Sequence, residues 1–462
     1  MKILYYNWTP LEKKKEGGGV AVYMRNLLDY LQRSDLGLDV TFMSSGYYYD
    51  GGDRPYIRKE KDMYGASVFS IVNSPIIAPQ GFPESVFAKC SSGGGIVNVF
   101  KQFLDETGPY DIIHFNSFEG ISAKVLELKE CFSQTKFIHS MHDYGILCPK
   151  VQFWTLSGTN CVTDKDHPLC KDCVKVNQRQ PMFLHKYFRP SSPSSKKTHN
   201  LKRVVLKWTR SFAKRSYWFY NREAHSEATY SEFRKTNVDC INEYADAELV
   251  VSRRVGEIAQ MYGINKEKIR LSYIGTKFAD SQLGHCRSNG GDFTLLYMGY
   301  MLKAKGFYSY LSALETLDES VAANIRLKFA SRISDKSAYR RVLALKRKFK
   351  GVTFHNGYTH ADFPKIMDGV SLGVVPPLWE DNLPQVALEM IANGIPVLAS
   401  GNGGAHELNA HPMFKFDGLE DLKGKIAAIS KDRSYLEDYW NFAVRLTTME
   451  EHVGQLLDIY KS

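Results

Sequence analysis

Short apolar runs alternate along this chain with longer stretches whose apolar residues recur at helical spacing. Residues 2–7, 38–44, 111–116, 136–141, 248–252 and 268–274 read as strands in the first half. A second series follows at 294–298, 326–330, 352–355, 372–375 and 395–399. Strands separated by helical segments predict parallel sheets layered with helices. Between the two series lies a polar, glycine-containing stretch, 277–292, read as a linker. The pattern therefore predicts two α/β units in series, with helical periodicity at the end of the chain over 435–446 and 449–460. Beyond this echo between the halves there are no internal repeats.

The stretch from Pro376 to Glu389 adds chemistry to the pattern. It follows the apolar run Leu372-Gly373-Val374-Val375, and Pro384 suits the first turn of a helix, where a missing N–H costs nothing. The helix then runs from Gln385 to Ala392 and ends at Gly394-Ile395-Pro396. Asp381 and Asn382 fall in a strand-to-helix loop, and Glu389 lies within the helix. Unpaired N–H groups at a helix start suit an anionic or polyhydroxyl ligand. Eight residues of helix span roughly 12 Å, enough to hold both ends of a nucleotide sugar. By themselves two such acids favour the solvated face of an ordinary amphipathic helix.

Length and charge narrow the classes. A chain of 462 residues fits two domains, and 44% hydrophobic with 24% charged residues is globular. The chain opens on a strand with no signal peptide before it, and no apolar stretch is long enough to span a bilayer, so a cytoplasmic protein is expected. The net charge of +10 points to an anionic partner: nucleotide, lipid headgroup or nucleic acid.

Four further segments carry candidate chemistry. Glu16-Gly17-Gly18-Gly19 opens a helix running to Leu31, where glycine lets backbone approach a ligand. The spacing does not fit a dinucleotide fingerprint, because Val22 stands where the third glycine belongs. His142-Asp143 ends the strand 136–141, facing the crevice of an α/β sheet; His139 would point to the opposite face. Cys148, Cys161, Cys170 and Cys173 hold four of the eight cysteines within 26 positions. Stable disulfides are not expected in the cytosol, and four thiols with one Cys-x-x-Cys can enclose a structural zinc ion, with His167 as a substitute ligand. Separate buried thiols are the alternative. Finally, residues 186–222 hold eleven Lys or Arg and no acid. Within them, 201–220 sets Val205, Trp208, Phe212 and Phe219 at helical spacing among Lys202, Arg203, Lys207, Arg210, Lys214 and Arg215. That combination reads as a basic element that binds an anionic membrane surface, against the alternative of an ordinary packed helix with a basic face; nucleic acid fits less well.

Taken together, Asp381-x7-Glu389, Gly394-Ile395-Pro396-Val397 and Gly403-Gly404-Ala405-His406-Glu407-Leu408 resemble the signature of the GT4-like retaining glycosyltransferases of GT-B fold. Tyr297-Met298-Gly299-Tyr300-Met301-Leu302-Lys303-Ala304-Lys305-Gly306 is similar to the same family's Gly-Arg-x4-Lys-Gly segment, and His142-Asp143 to its strand-end His. The resemblance implies two Rossmann-like domains with a deep cleft between them, the acceptor-side domain at 1–280 and the nucleotide-sugar domain at 281–440. A helix at 441–462 would cross back to the first domain. It implies that Glu389 binds the ribose, that Asp381 contacts the donor sugar, and that Asn382 and Leu383 help bind the donor. Gly18, Gly19, Gly299 and Lys305 would serve the diphosphate. His142 would contact the transferring sugar, and Asp143 would orient it or help bind acceptor. Tyr300 departs from the family's Arg, leaving Lys303 or Arg332 to supply a second cation. The Gly-x-Gly near 329–333 and the usual Asn-Gly at 274–276 are missing too. Asp164-Lys165-Asp166 reads as surface, so no catalytic metal is expected. The implied activity is metal-independent, retaining transfer of a sugar from a nucleotide-diphosphate sugar to a lipid-linked glycan acceptor. The setting would be surface-polysaccharide synthesis by a cytoplasmic or peripheral membrane enzyme. A GT-B sugar-nucleotide epimerase or phosphorylase, and an inactive GT-B binding subunit, are the alternatives.

Overall fold

A computed structural model describes residues 1–13, 18–79, 84–162, 170–175, 227–276 and 291–462. Two sheets organise them. The first has eight strands: β1 (Lys2–Tyr6), β2 (Asp39–Ser45), β3 (Tyr56–Lys59), β4 (Ser67–Val72), β5 (Ile112–Phe115), β6 (Lys136–Met141), β7 (Ala247–Val250) and β8 (Ile269–Leu271). Their spatial order is β3-β4-β2-β1-β5-β6-β7-β8, all parallel except β3 against β4. The second sheet joins β9 (Phe293–Met298), β10 (Ile325–Ser331), β11 (Gly351–Asn356), β12 (Leu372–Val375), β13 (Val397–Ser400) and β14 (Lys415–Phe416). Its order is β11-β10-β9-β12-β13-β14, with every pair parallel.

The apolar runs become central strands because a parallel sheet covered on both faces needs strands that are apolar on both faces. β7, β9, β12 and β13 are buried at every position. β3 and β4 were not anticipated. β3 is an edge strand whose residues include Arg58 and Lys59, and the apolar residues of β4 are interrupted by Ser70, so neither reads as an apolar run. The strand read over 268–274 shortens to Ile269–Leu271. The helix read over 435–446 is Ser434–Phe442. It stops there because Ala410 N donates to Phe442 O and Val444 N to Leu408 O, which draws the chain into an extended pairing.

The last helix, Met449–Lys461, starts from a capping box between Thr448 and Glu451 and packs on the first domain's helix Gly18–Arg33. Met449, Val453, Leu456 and Tyr460 form its buried stripe, each burial contributing roughly 1.5–3 kcal/mol. A polar seam runs beside them. Tyr460 Oη donates to Tyr5 Oη at 3.2 Å, so it accepts from His114 Nδ1 at 2.6 Å. The other ring nitrogen of His114 then accepts from Ser140 Oγ, 2.7 Å away. His452 Nε2 bonds Tyr23 Oη at 2.7 Å. These rings are buried and neutral. Burial pushes the His452 pKa down to about 4, and it holds His114 well below its usual value, with His142, His139 and His452 adding to the effect. Among the described residues no helix is long and apolar enough to cross a membrane.

A histidine whose pKa is lower in the folded than in the unfolded chain takes its proton first in the unfolded state. The stability contributed by neutral His452 is therefore complete above pH 6.5 and lost as pH falls toward about 4. Urea unfolding should show the midpoint dropping across that window, and His452→Gln should flatten the drop. Identical pH slopes for the two proteins would show that the helix contact is not set by this ring.

Candidate active site

In an open parallel sheet, ligands bind beyond the strand C-termini where the strand order reverses. In the second sheet that point lies between β9 and β12, and in the first between β1 and β5. The segments following β9 and β12 are 299–306 and 376–384, which hold the Lys305 and Asp381 of the sequence reading.

Two glycines let these loops meet. Gly306 has φ +71°, and a Cβ there would lie 1.6 Å from Pro376 O. Gly403, at φ +76°, would put a Cβ 2.1 Å from Asp381 O. Any other residue would push the 380–382 loop away. The loop is further tied by Leu378 N donating to Ala304 O at 2.8 Å and Gly404 N to Asp381 O at 2.8 Å. Pro384 takes the N-cap position of the helix Gln385–Ala392, with extended backbone at φ −62°, ψ 118°, one step earlier than the first-turn place expected for it.

Neighbouring acids in this loop have different tasks. Glu380 is buried and reaches out of its own domain: Arg254 donates to it from Nε at 3.0 Å and from Nη2 at 2.9 Å. Asn160 Nδ2 donates at 3.0 Å and Gly403 N at 2.9 Å. Burial acts to raise the Glu380 pKa, but the guanidinium and the two further donors outweigh it, so the carboxyl lies below the usual range. Glu407 makes a second link, accepting from the N–H groups of Arg253 and Arg254 at the start of the first domain's helix Arg253–Met261. Asp381 instead faces Lys305, whose Nζ is 2.6 Å from Oδ2 and 4.9 Å from the Trp379 ring centre. Beside it Asn382 is buried with neither amide atom partnered among the described residues, as is the Trp379 indole N–H. Leu383 is buried as well.

Glu389 is buried on the helix and accepts from His360 Nε2 at 3.0 Å. Both line a pocket that continues onto Tyr23 and Thr276 of the first domain. Gln385, one turn before, donates to Gly19 O at 2.9 Å, so the glycine loop meets the start of this helix across the domain boundary. Gly18 begins the helix Gly18–Arg33 at φ +60°, while Glu16 and Gly17 lie outside the described residues. Gly299 follows β9 directly, its N–H donating to Ala330 O at 3.1 Å. Tyr300 is 61% exposed, and Lys303 and Arg332 are exposed too.

On the first domain's side, Asn7, Asn116 and His142 follow β1, β5 and β6. His142 Nε2 donates to Asn116 Oδ1 at 3.0 Å, and its ring lies 4.7 Å from that of Tyr23. Burial, reinforced by His139 and His452, lowers its pKa to about 3, so the ring is neutral at ordinary pH. Asp143 does not hold the ring: its Oδ1 accepts from Gly145 N at 2.8 Å, and burial raises its pKa. The orienting partner is Asn116. His139 is buried elsewhere, donating to Glu248 at 2.8 Å under the Phe118 ring. Both amide atoms of Asn7 and the amide nitrogen of Asn116 have no partner among the described residues. Unpaired buried amides on the two facing strand-end sets leave hydrogen-bonding capacity for a polar ligand.

Arg254, Asn160, Asn116 and His360 went unnoticed in the sequence. Only His360 and Asn116 carried a signal, each standing just beyond a strand end. Cys148, Cys161, Cys170 and Cys173 line one pocket, although among the described residues no three metal-binding side chains are gathered tightly enough to hold an ion. Asp164-Lys165-Asp166, His167 and the basic segment 201–220 lie outside the described residues.

Comparison with known proteins gives this geometry a context. Residues 284–443 match the family of glycosyl transferases group 1. No curated protein sequence matches the chain. Among solved structures, the Anabaena protein HepE in complex with UDP is 15% identical with TM-score 0.56, covering 100% of both chains. Sucrose-phosphate synthase from Thermosynechococcus elongatus is 16% identical with TM-score 0.58, covering 100% of this chain and 98% of the other. An α,α-trehalose-phosphate synthase from Burkholderia xenovorans, in complex with glucose-6-phosphate, is 10% identical with TM-score 0.58 over 99% of each. At these identities the likeness establishes the GT-B fold.

The two acids should separate in experiment. Glu380→Ala strands Arg254 and should cost about 2 kcal/mol in urea unfolding. That is below the roughly 3–5 kcal/mol of a fully buried pair, because a quarter (25%) of the Arg254 side chain stays in water. Asp381→Ala should cost less, about 1 kcal/mol, because its partner Lys305 keeps a third of its side chain in water. Equal losses from both would mean that the two carboxylates share one structural task.

Proposed function

We propose that this chain, a glycosyltransferase with a group 1 transferase domain on a GT-B frame, is a retaining, metal-independent enzyme using a nucleotide-diphosphate sugar. The observation that carries the reading is the Lys305–Asp381 pair at the reversal point of the second sheet, with Glu389 two turns further along the helix. That UDP was bound in the similar Anabaena protein supports a nucleoside-diphosphate donor.

Each residue's part follows from its surroundings. Glu389 accepts from the ribose hydroxyls, and His360 fixes one of its oxygens so that the other is presented. Lys305 has three N–H donors and spends one on Asp381, leaving two for the departing diphosphate. The N–H groups at the start of Gln385–Ala392 add positive potential there. As the glycosidic bond breaks, charge grows on the diphosphate, and fixed donors stabilise it without reorganisation. Asp381 contacts the donor sugar and holds the ammonium in place. Neutral His142, held by Asn116, offers Nδ1 as an acceptor to a sugar hydroxyl. Lys303 or Arg332 supplies the second cation that Tyr300 cannot.

The acceptor we propose is a glycan on a lipid carrier at the cytoplasmic membrane face, in surface-polysaccharide assembly. The net charge of +10 and the basic run 186–222 support it. The protein should co-sediment with anionic vesicles and not with neutral ones, and Gln at Lys207, Arg210, Lys214 and Arg215 should weaken that binding. Binding that ignores lipid charge would remove this part of the reading.

Glu389→Gln replaces a charged acceptor by an amide, a loss of roughly 1.5–3 kcal/mol. Donor affinity, followed by calorimetry, should weaken roughly ten- to hundred-fold. Asp381→Ala should act mainly on kcat. Wild-type turnover should persist in EDTA. Unchanged donor affinity in the Glu389 variant, or turnover that needs added Mg²⁺ or Mn²⁺, would defeat the proposal.

A further inference from the structure

The four clustered cysteines come from three separate stretches of chain. Cys148 lies in the turn after β6, Cys161 follows the bridge between Trp154 and Asn160, and Cys170 and Cys173 sit on successive turns of the helix Cys170–Lys175. All four line a single pocket, walled by Leu147, Phe153, Trp154 and Val174. None of the four is in a disulfide. Four thiols brought to one pocket, with an apolar wall around them, are what a buried soft-metal site requires.

Two contacts direct N–H donors at the sulfurs. Phe153 N donates to Cys148 Sγ at 3.3 Å, across a turn in which Val151 and Phe153 both have positive φ, 71° and 49°. Arg234 is 8% exposed and directs Nη1 at Cys170 Sγ, 3.3 Å away. A buried guanidinium calls for an anion, and here it faces sulfur. Four thiolates around a divalent ion carry a net charge of −2, which the guanidinium partly offsets.

We infer that Cys148, Cys161, Cys170 and Cys173 bind one structural zinc ion. Binding converts four thiols to thiolates, and the four protons pass to solvent. The sulfurs stand further apart than a bound ion would hold them, so metal binding draws the half-buried Cys161, Cys170 and Cys173 inward on Cys148. The site joins β6, the 153–162 segment and the helix Cys170–Lys175. That same segment carries Asn160, which donates to Glu380 in the second domain. The ion would thus stiffen the strut that meets the 380–382 loop, at a distance from the reacting sugar.

Elemental analysis of full-length protein purified without chelator should find about one zinc per chain. Titration with a mercurial reagent should release it as the four thiols react, with a metallochromic indicator reading the release. Cys170→Ser with Cys173→Ser should abolish zinc retention, whereas Cys131→Ser, at an exposed cysteine outside the pocket, should keep it. If the double variant does not fold, release from the wild-type protein still decides the matter. Metal-free protein with all four thiols reactive, or mass spectrometry showing disulfides among them, would overturn the inference. These readouts are independent of the transferase reading.

Discussion

A carboxylate taken out of water must be matched by donors, and Glu380 finds most of its match in the other domain. Arg254 and Asn160 reach it from the first domain and Gly403 from the second, so the loop after β12 is fixed to both halves of the molecule at once. The position of Asp381 follows, since it is the next residue and has no freedom left. Gly306 and Gly403 are the complementary constraint, because the loop can be held this tightly only where its neighbours lack a Cβ. Lys305 then meets Asp381 without either having to search for the other.

The second set of constraints lies on the first domain. The returning helix Met449–Lys461 brings Tyr460 to His114 and Tyr5, and His452 to Tyr23. Tyr23 in turn packs on the His142 ring, which Asn116 holds. One continuous run of buried, neutral polar groups therefore connects the end of the chain to the strand ends that face the donor loop. A neutral imidazole there is an acceptor and a packing surface, and burial keeps it neutral.

Much of this was legible from the sequence because parallel strands buried on both faces are unbroken apolar runs. The central strands of both sheets and the helix Gln385–Ala392 stood where pattern placed them. β3 and β4 have no such run, because Arg58 and Lys59 fill half of the edge strand β3 and Ser67 and Ser70 break the apolar residues of β4. At the site, the acid at 381 and the Lys at 305 were readable as a motif, but their 2.6 Å pairing was not, since it depends on a fold that brings residues 76 positions apart together. Glu380 stands beside Asp381 in the sequence and shares none of its contacts. Its true partner Arg254 is 126 positions earlier, and nothing local in the sequence marks it. The family resemblance gave Asp143 the task of orienting His142 or helping to bind acceptor, but adjacent residues at a strand end point apart, and the ring turns to Asn116 instead.

The proposed activity turns on where the nucleotide goes. A crystal structure of the protein grown with UDP, GDP or ADP would test it directly. The predicted result places the ribose hydroxyls within hydrogen-bond reach of the Glu389 carboxylate and a diphosphate oxygen on Lys305 Nζ, beyond the ends of β9 and β12. A nucleotide seated elsewhere, with Glu389 bonded only to His360 and Lys305 only to Asp381, would contradict it.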